Sequence, residues 1–110
     1  MAELPTVLWR GFSRKEYRYW IYPIGTAFEK GPGNYVFAKE TRPTFWAPVY
    51  VGETEDLSTR FDNHEKLPCI MHNNATHLHI HAGSSSKYVR MEEKADITLK
   101  YDPPCNKGIK

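Results

Sequence analysis

The chain has 110 residues, of which 40% are hydrophobic and 25% are charged, and its formal net charge is +2. This composition is typical of one globular domain with a modest core, and no apolar run is long enough to cross a bilayer. The basic excess is smaller than that of dedicated nucleic-acid binders, so any attraction to phosphate must come from the placement of charges. Residues 1–5 lack the basic and apolar regions of a secretory signal, which favours a cytoplasmic protein.

The first half of the chain is predicted to form strands. Residues 1–16 show little periodicity and are expected to form an N-terminal strap on the domain. Aromatic and β-branched residues favour strands at 17–22, 34–39 and 48–51. The glycines and proline at 30–33 predict a turn before the second of these strands. Together these segments predict an antiparallel sheet of about three strands.

Helical spacing dominates much of the second half. Residues 56–66 are predicted to form a helix with Leu57 and Phe61 on its core face. A short second helix is expected over 68–71, because proline is favoured in a first helical turn. A third helix is predicted over 87–100, and its stripe includes a lysine. The predicted core stripe of this helix consists of Met91, Lys94, Ala95, Thr98 and Tyr101.

Residues 76–82 show the clearest strand alternation, with apolar residues on one face and three histidines on the other. Successive residues on one strand face are about 7 Å apart, too far for the histidines to chelate one ion easily. A solvated or phosphate-facing surface is therefore favoured. The order of elements predicts an α/β domain of the α+β type over residues 17–106, with a small, mostly antiparallel sheet of three to four strands flanked by about three helices. Residues 107–110 are expected to form a frayed basic tail.

The two cysteines, Cys69 and Cys105, lie far apart in the sequence. They could pair, but a reducing cytosol favours free thiols. Neither cysteine belongs to a Cys-x-x-Cys pair, so a structural zinc site is weakly supported.

A tyrosine, an arginine and a histidine are expected to converge where the third strand is followed by the first helix. Arg60 and His64 stand four residues apart on one face of the predicted helix, and Tyr50 lies near the end of the strand before it. These side chains suit an anionic oxygen, and phosphate is the commonest such target. An ordinary amphipathic surface helix is the alternative interpretation of this stretch.

Several segments of the chain together resemble the GIY-YIG nuclease domain. Two tripeptides stand where that family has Gly-Ile-Tyr and Tyr-Ile-Gly, and they are Gly33-Asn34-Tyr35 and Tyr50-Val51-Gly52. The segment 56–64 resembles the family's arginine helix, 75–81 its third strand, and 95–106 its closing helix and asparagine-bearing tail. The resemblance covers residues 18–106 and implies a GIY-YIG-like fold.

The resemblance implies that the domain hydrolyses DNA phosphodiester bonds with one divalent ion, Mg²⁺ or Mn²⁺. It implies that Tyr35 orients or deprotonates the attacking water and that Tyr50 hydrogen-bonds the site or the phosphate. Arg60 is expected to neutralise charge on the phosphoryl oxygens. His64 is expected to relay a proton or to contact the phosphate. Asn106 is expected to tie the tail to the domain.

The position of the family's metal-binding glutamate is occupied by Lys94, which lies seven residues before Tyr101. Arg90, four residues earlier, fits the pattern and is expected to contact phosphate. If the helix has a shifted register, Glu93 becomes the metal ligand and the nuclease is active. Otherwise Lys94 inactivates the site, or its ammonium replaces part of the metal's charge without activating a water. Lysine binds phosphate as a point charge, so binding can survive where cleavage does not.

Two functions are therefore open. The first is a metal-dependent DNA endonuclease, inactivated if Lys94 replaces the metal ligand. The second is a non-catalytic module that binds branched, nicked or single-stranded DNA, or a protein partner, through the same site. A targeting protein is expected to supply specificity, because a small domain has little surface for base readout. Core packing is expected for most of four aromatic residues that could otherwise stack on splayed bases, namely Trp9, Trp20, Phe45 and Trp46.

Overall fold

The computed structural model describes residues 5–107, which form an antiparallel sheet, two helices and a closing 3-10 turn. The strands are β1 (Thr6–Arg10), β2 (Glu16–Pro23), β3 (Gly33–Arg42), β4 (Phe45–Thr54) and β5 (His77–Ala82). The helices are α1 (Leu67–His72) and α2 (Lys87–Tyr101), and the 3-10 turn is Pro104–Asn106. The strand order β1-β2-β5-β3-β4 gives an α+β domain, as predicted. Within the described residues, no helix has the length and apolar character needed to span a membrane.

The sheet has five strands rather than three to four, because residues 6–10 of the expected strap form β1. β1 pairs antiparallel with β2 along its whole length. Val7 and Trp9 alternate with exposed residues and pack in the core, which explains why this segment is a strand. Residues 1–4 of the predicted strap and residues 108–110 of the predicted tail lie outside the part of the chain that the structure describes.

The sheet separates two apolar layers. The first layer includes Tyr35, Phe37, Leu57, Ile70, Leu78 and Ile80. The second layer includes Trp9, Tyr19, Val36, Val51 and Ile97, the last of these from α2. The alternation predicted for β5 is confirmed, because its leucine and isoleucine lie in the first layer while His79 accepts a hydrogen bond from Trp9 on the other side. The expectation that the histidine face is solvated or faces phosphate is wrong for His79, which is 0% exposed because the second layer covers it. Adjacent residues of the central strands therefore point into different layers.

The helix predicted at residues 56–66 is wrong, since this segment forms a series of turns. Asp56 Oδ1 accepts hydrogen bonds from the backbone N–H of Ser58 at 3.0 Å and from its hydroxyl at 2.7 Å. Towards the other end, the backbone N–H of Lys66 donates to His64 Nδ1 at 3.0 Å. Polar side chains thus satisfy backbone donors locally, which competes with helix formation. The leucine and phenylalanine of the segment nevertheless pack in the first layer, as predicted.

Helix α2 spans nearly the predicted residues but turns a different face towards the sheet. Its buried residues are Arg90, Glu93 and Ile97, whereas Met91 of the predicted core stripe is 45% exposed. The buried arginine and glutamate both have polar partners in the sheet, so their burial is compensated. A stripe chosen for apolar character misses this face, because its partners are distant in sequence.

The expectation of free thiols is wrong, because a disulfide joins Cys69 of α1 to Cys105 of the 3-10 turn. Next to it, Asn106 binds the backbone of Val51 in the outer strand β4. The N–H of Val51 donates to Asn106 Oδ1 at 2.7 Å, and Asn106 Nδ2 donates to the carbonyl of Val51 at 2.8 Å. The end of the described chain is therefore held by one covalent link and one pair of hydrogen bonds.

Candidate functional site

Five residues singled out in the sequence lie together at one edge of the first layer. β3 and β4 place Tyr35 and Tyr50 on the same face, and the turns after β4 add Arg60 and His64. Lys94 of α2 extends to the same place, with its Nζ 6.0 Å from the centroid of the Tyr50 ring. The His64 ring packs edge-on against both tyrosines, with centroids 5.6 and 5.0 Å apart. We call these five side chains the tyrosine cluster.

Gly52 provides the space that the phenol of Tyr35 occupies. The two residues are Cα partners in the pairing of β3 with β4. A β-carbon at Gly52 would lie 2.5 Å from the Tyr35 hydroxyl oxygen, well inside contact distance. Glycine inside a strand often marks such a close approach. The glycine at position 52 is therefore required by the space that the Tyr35 phenol occupies.

A chain of hydrogen bonds meets at the hydroxyl of Tyr35. Because His64 Nδ1 accepts from the Lys66 N–H, the neutral imidazole carries its proton on Nε2. This Nε2 lies 2.6 Å from the Tyr35 hydroxyl oxygen and donates to it. The Nε of Arg60 donates to the same oxygen at 3.1 Å. The Tyr35 hydroxyl thus accepts two hydrogen bonds, one from His64 and one from Arg60.

Burial keeps His64 and Tyr35 uncharged near neutral pH. Loss of solvent, with a smaller effect of the Arg60 charge, lowers the pKa of His64 to about 4. Loss of solvent and the neighbouring Tyr50 raise the pKa of Tyr35 well above its ordinary value, although Arg60 opposes the rise. The exposed fractions are only 3% for His64 and 0% for Tyr35. Neither side chain is therefore open to a water or ligand in this structure, and the Tyr35 hydroxyl holds Arg60 through its Nε.

Arg60 presents the accessible part of the cluster and is paired with Glu65. Its Nη1 and Nη2 donate to the two carboxylate oxygens of Glu65 at 2.9 and 3.0 Å. These hydrogen bonds lower the pKa of Glu65 to about 2. The side chain of Glu65 is 63% exposed, so the carboxylate is held mainly by the arginine. Carboxylate and phosphate share this bidentate geometry, so Glu65 occupies a place suited to an external anion.

Three cations lie near enough to the cluster to act on His64. The Lys94 ammonium lies over the Tyr50 ring, 6.0 Å from its centroid, which is the outer limit of a cation–π contact. Arg60, Lys66 and Lys94 all contribute to the lowered pKa of His64. Burial and Glu65 raise the pKa of Tyr50, an effect that Arg60 opposes. An anion beside Tyr50 would therefore meet two cations and a neutral hydroxyl.

Glu93 and Arg90 do not join the tyrosine cluster. Glu93 lies in the other layer, where its carboxylate accepts from the Tyr19 hydroxyl at 2.5 Å and lies 2.8 Å from His81 Nδ1. Arg90 is 1% exposed, and its guanidinium donates to Glu53 and to a backbone carbonyl. The expected metal ligand and the expected second phosphate contact thus both have structural partners elsewhere.

The cluster does not have the donor set of a divalent metal site. Mg²⁺ and Mn²⁺ prefer several carboxylate or carbonyl oxygens. Both oxygens of Glu65 accept from Arg60, and the position of the family's glutamate carries the ammonium of Lys94. Across residues 5–107, no three histidine, cysteine, aspartate or glutamate side chains gather as a metal site requires. The residues present therefore do not fit Mg²⁺ or Mn²⁺ here.

Two contributors to the cluster were missed in the sequence. Glu65 stands five positions after Arg60, a spacing that does not bring side chains together on a helix, so the predicted helix concealed the pair. The N–H of Lys66 fixes the tautomer of His64, and no sequence pattern marks such a backbone donor. The turn-forming residues Asp62 and Asn63 were the available indication that the helix would not form.

The residues that resemble the GIY-YIG domain come together in part. Tyr35 and Tyr50 of the two tripeptides lie together with Arg60, His64 and Lys94, whereas the arginine lies in turns rather than in a helix. The metal-binding glutamate of the family has no counterpart in the cluster. Comparisons of the chain with protein-family models, with curated proteins and with solved structures find no match.

Proposed function

We propose that this domain binds the phosphodiester backbone of DNA at the tyrosine cluster without hydrolysing it. The observation that carries the proposal is the presence of one cation at each tyrosine: the Lys94 ammonium lies 6.0 Å from the centroid of the Tyr50 ring, and the Arg60 Nε donates to the Tyr35 hydroxyl. Arg60 offers a planar fork that matches two phosphate oxygens, and Lys94 offers a point charge. The cluster therefore has the groups that bind a phosphate.

The arginine is already oriented for this contact. Its Nε is held by the Tyr35 hydroxyl, while its two terminal nitrogens point to Glu65. A phosphate group would displace the exposed Glu65 carboxylate and accept from the same two nitrogens. Since Nε keeps its partner during this exchange, the guanidinium loses little further freedom on binding.

Hydrolysis is not part of the proposal, because the cluster supplies no base and no metal-activated water. His64 carries its proton on Nε2, and its Nδ1 is occupied by the Lys66 N–H. Tyr35 stays protonated because its pKa is raised. A metal ion would otherwise generate the nucleophile, but the residues present do not fit one.

The binding proposal can be tested by fluorescence anisotropy with labelled single-stranded and duplex DNA over a range of salt concentrations. We expect Arg60→Gln and Lys94→Gln each to weaken binding. Each variant should also reduce the salt slope by about 0.7 for single strands or about 0.9 for duplex, because each removes one cation from the phosphate. Lys100→Gln removes the same charge from an exposed position of α2 and serves as the control. Equal effects of all three variants would overturn the assignment.

The absence of hydrolysis can be tested separately with supercoiled plasmid, Mg²⁺ or Mn²⁺, and a chelator control. The chain is expected to leave the plasmid intact. Nicking that the chelator stops would refute this part of the proposal and would require a carboxylate to reach the cluster. Nicking by Lys94→Glu alone would identify the lysine as the change that prevents cleavage.

A further inference from the structure

A cavity of about 320 Å³ lies beside the tyrosine cluster on the same face of the sheet. Its lining includes three aromatic side chains, Phe28, Phe37 and Phe61, and the polar side chain of Asp62. We propose that this cavity receives one unstacked nucleobase of a DNA strand whose phosphate is bound at Arg60. The inference rests on the proposed function, because that function supplies the neighbouring phosphate contact.

The aromatic walls of the cavity are braced by their neighbours. The Phe61 ring packs edge-to-face on Phe28, Phe37 and Tyr35, with centroid distances of 5.7, 5.8 and 5.0 Å. The Phe28 ring in turn packs on Tyr22 at 5.0 Å. Phe37 is 1% exposed and supports the wall from behind, so the accessible surface belongs to the partly exposed rings of Phe28 and Phe61. Rings fixed in this way offer apolar surface at little entropic cost, and a base can stack on them whatever its identity.

The cavity also contains an acceptor without a structural partner. Asp62 is exposed, and it has no ion pair among residues 5–107. A lone carboxylate would repel a phosphate, so its position next to Phe61 suits a different part of the nucleotide. Carboxylates accept hydrogen bonds from the exocyclic amine of cytosine, which thymine lacks. Asp62 is therefore assigned to an amino-bearing base.

The chain connects the phosphate contact and the cavity directly. Arg60 and Phe61 are consecutive, and consecutive Cα atoms are about 3.8 Å apart. Tyr35 belongs to both places, since its hydroxyl accepts from Arg60 while its ring packs on Phe61. A phosphate and the base of the same or the next nucleotide can thus bind together.

A base inside this cavity has left its stack and lost its pairing partner. The ligand is accordingly single-stranded DNA, or a duplex with an unpaired nucleotide, because unpairing then costs least. The proposed ligand is therefore not DNA in general but DNA with an accessible, unpaired base.

The first test compares three labelled oligonucleotides of equal length: oligo-dC, oligo-dT and an abasic backbone with the same number of phosphates. We expect the abasic strand to bind about 5- to 150-fold more weakly than oligo-dC. Oligo-dT should bind between the two. Equal binding of oligo-dC and the abasic strand would overturn the inference while leaving phosphate binding intact, whereas no binding of any strand would overturn the proposed function as well.

Two variants locate the effect in the cavity. Ala27 lines the cavity and is exposed, so Ala27→Leu should fill the space without disturbing the core and should remove most of the difference between oligo-dC and the abasic strand. Ala95→Leu, at an exposed position of α2, is its control. Asp62→Asn should reduce the preference for oligo-dC over oligo-dT by about 2- to 10-fold, with the exposed Glu92→Gln as the charge control. Unchanged discrimination in both cavity variants would refute the assignment.

Discussion

Reduction of the disulfide between Cys69 and Cys105 is expected to destabilise the domain substantially. The two cysteines are 36 residues apart in the sequence. For a loop of this length, the chain-entropy relation gives a loss of about 4 kcal/mol in the free energy of unfolding. That is a large part of the stability of an ordinary domain, which is about 5–15 kcal/mol. Cys105 is also 2% exposed, so the reduced state leaves a thiol buried beside Asn106.

Urea denaturation followed by circular dichroism measures this effect. The transition midpoint of the oxidised protein should exceed that of the same protein in reductant, and Cys69→Ala/Cys105→Ala should resemble the reduced form without responding to reductant. Thiol titration of the unfolded protein verifies the redox state of each sample. Identical midpoints for verified oxidised and reduced protein would refute the reasoning, since the cross-link would then not restrict the unfolded chain.

Further predictions concern Glu65, the buried histidine and the strand glycine. Glu65→Gln should strengthen DNA binding up to about fivefold in anisotropy titrations, because the competing carboxylate is removed, and unchanged affinity would contradict this. The pKa of His64 is lowered to about 4, so its contribution of about 3 kcal/mol is present above about pH 6.5 and is lost as pH falls through 4. Unfolding midpoints between pH 7.5 and 4 should fall accordingly, and less so in His64→Gln. Gly52→Ala should lower stability by about 1–3 kcal/mol in thermal unfolding, because its β-carbon meets Tyr35.

The strands were predictable because their pattern is local. The alternation in β5 identified its extent to within one residue and its apolar face, although it did not indicate that His79 on the opposite face is buried. The aromatic run at 17–22 lies inside β2. Residues 6–10 were assigned to a strap because one short alternation gives little indication without its partner strand. The helix at 56–66 failed for a related reason. Its apolar spacing suited a helix, but Asp56 and its neighbours bind backbone donors within the segment.

The site was predictable to the extent that single residues define it. Tyr50, Arg60 and Lys94 were chosen from the sequence and lie together in the structure. Glu93 could not be placed, because its burial depends on Tyr19, which is 74 residues away in the sequence. The pairing of Arg60 with Glu65 depends on the turn between them. Contacts of these two kinds depend on the tertiary structure and produce no periodic pattern in the sequence.

The carboxamide of Asn106 also covers part of the outer edge of the sheet. β4 is an outer strand, and an outer strand exposes N–H and C=O groups that can pair with a strand from another molecule. At Val51 both groups are already bound by one asparagine side chain, which acts as a very short substitute for a sixth strand. The proline at position 48 removes another donor from the same strand. Loss of Asn106 would therefore expose the N–H and C=O of Val51 on an outer strand, where a strand from another molecule can pair with them.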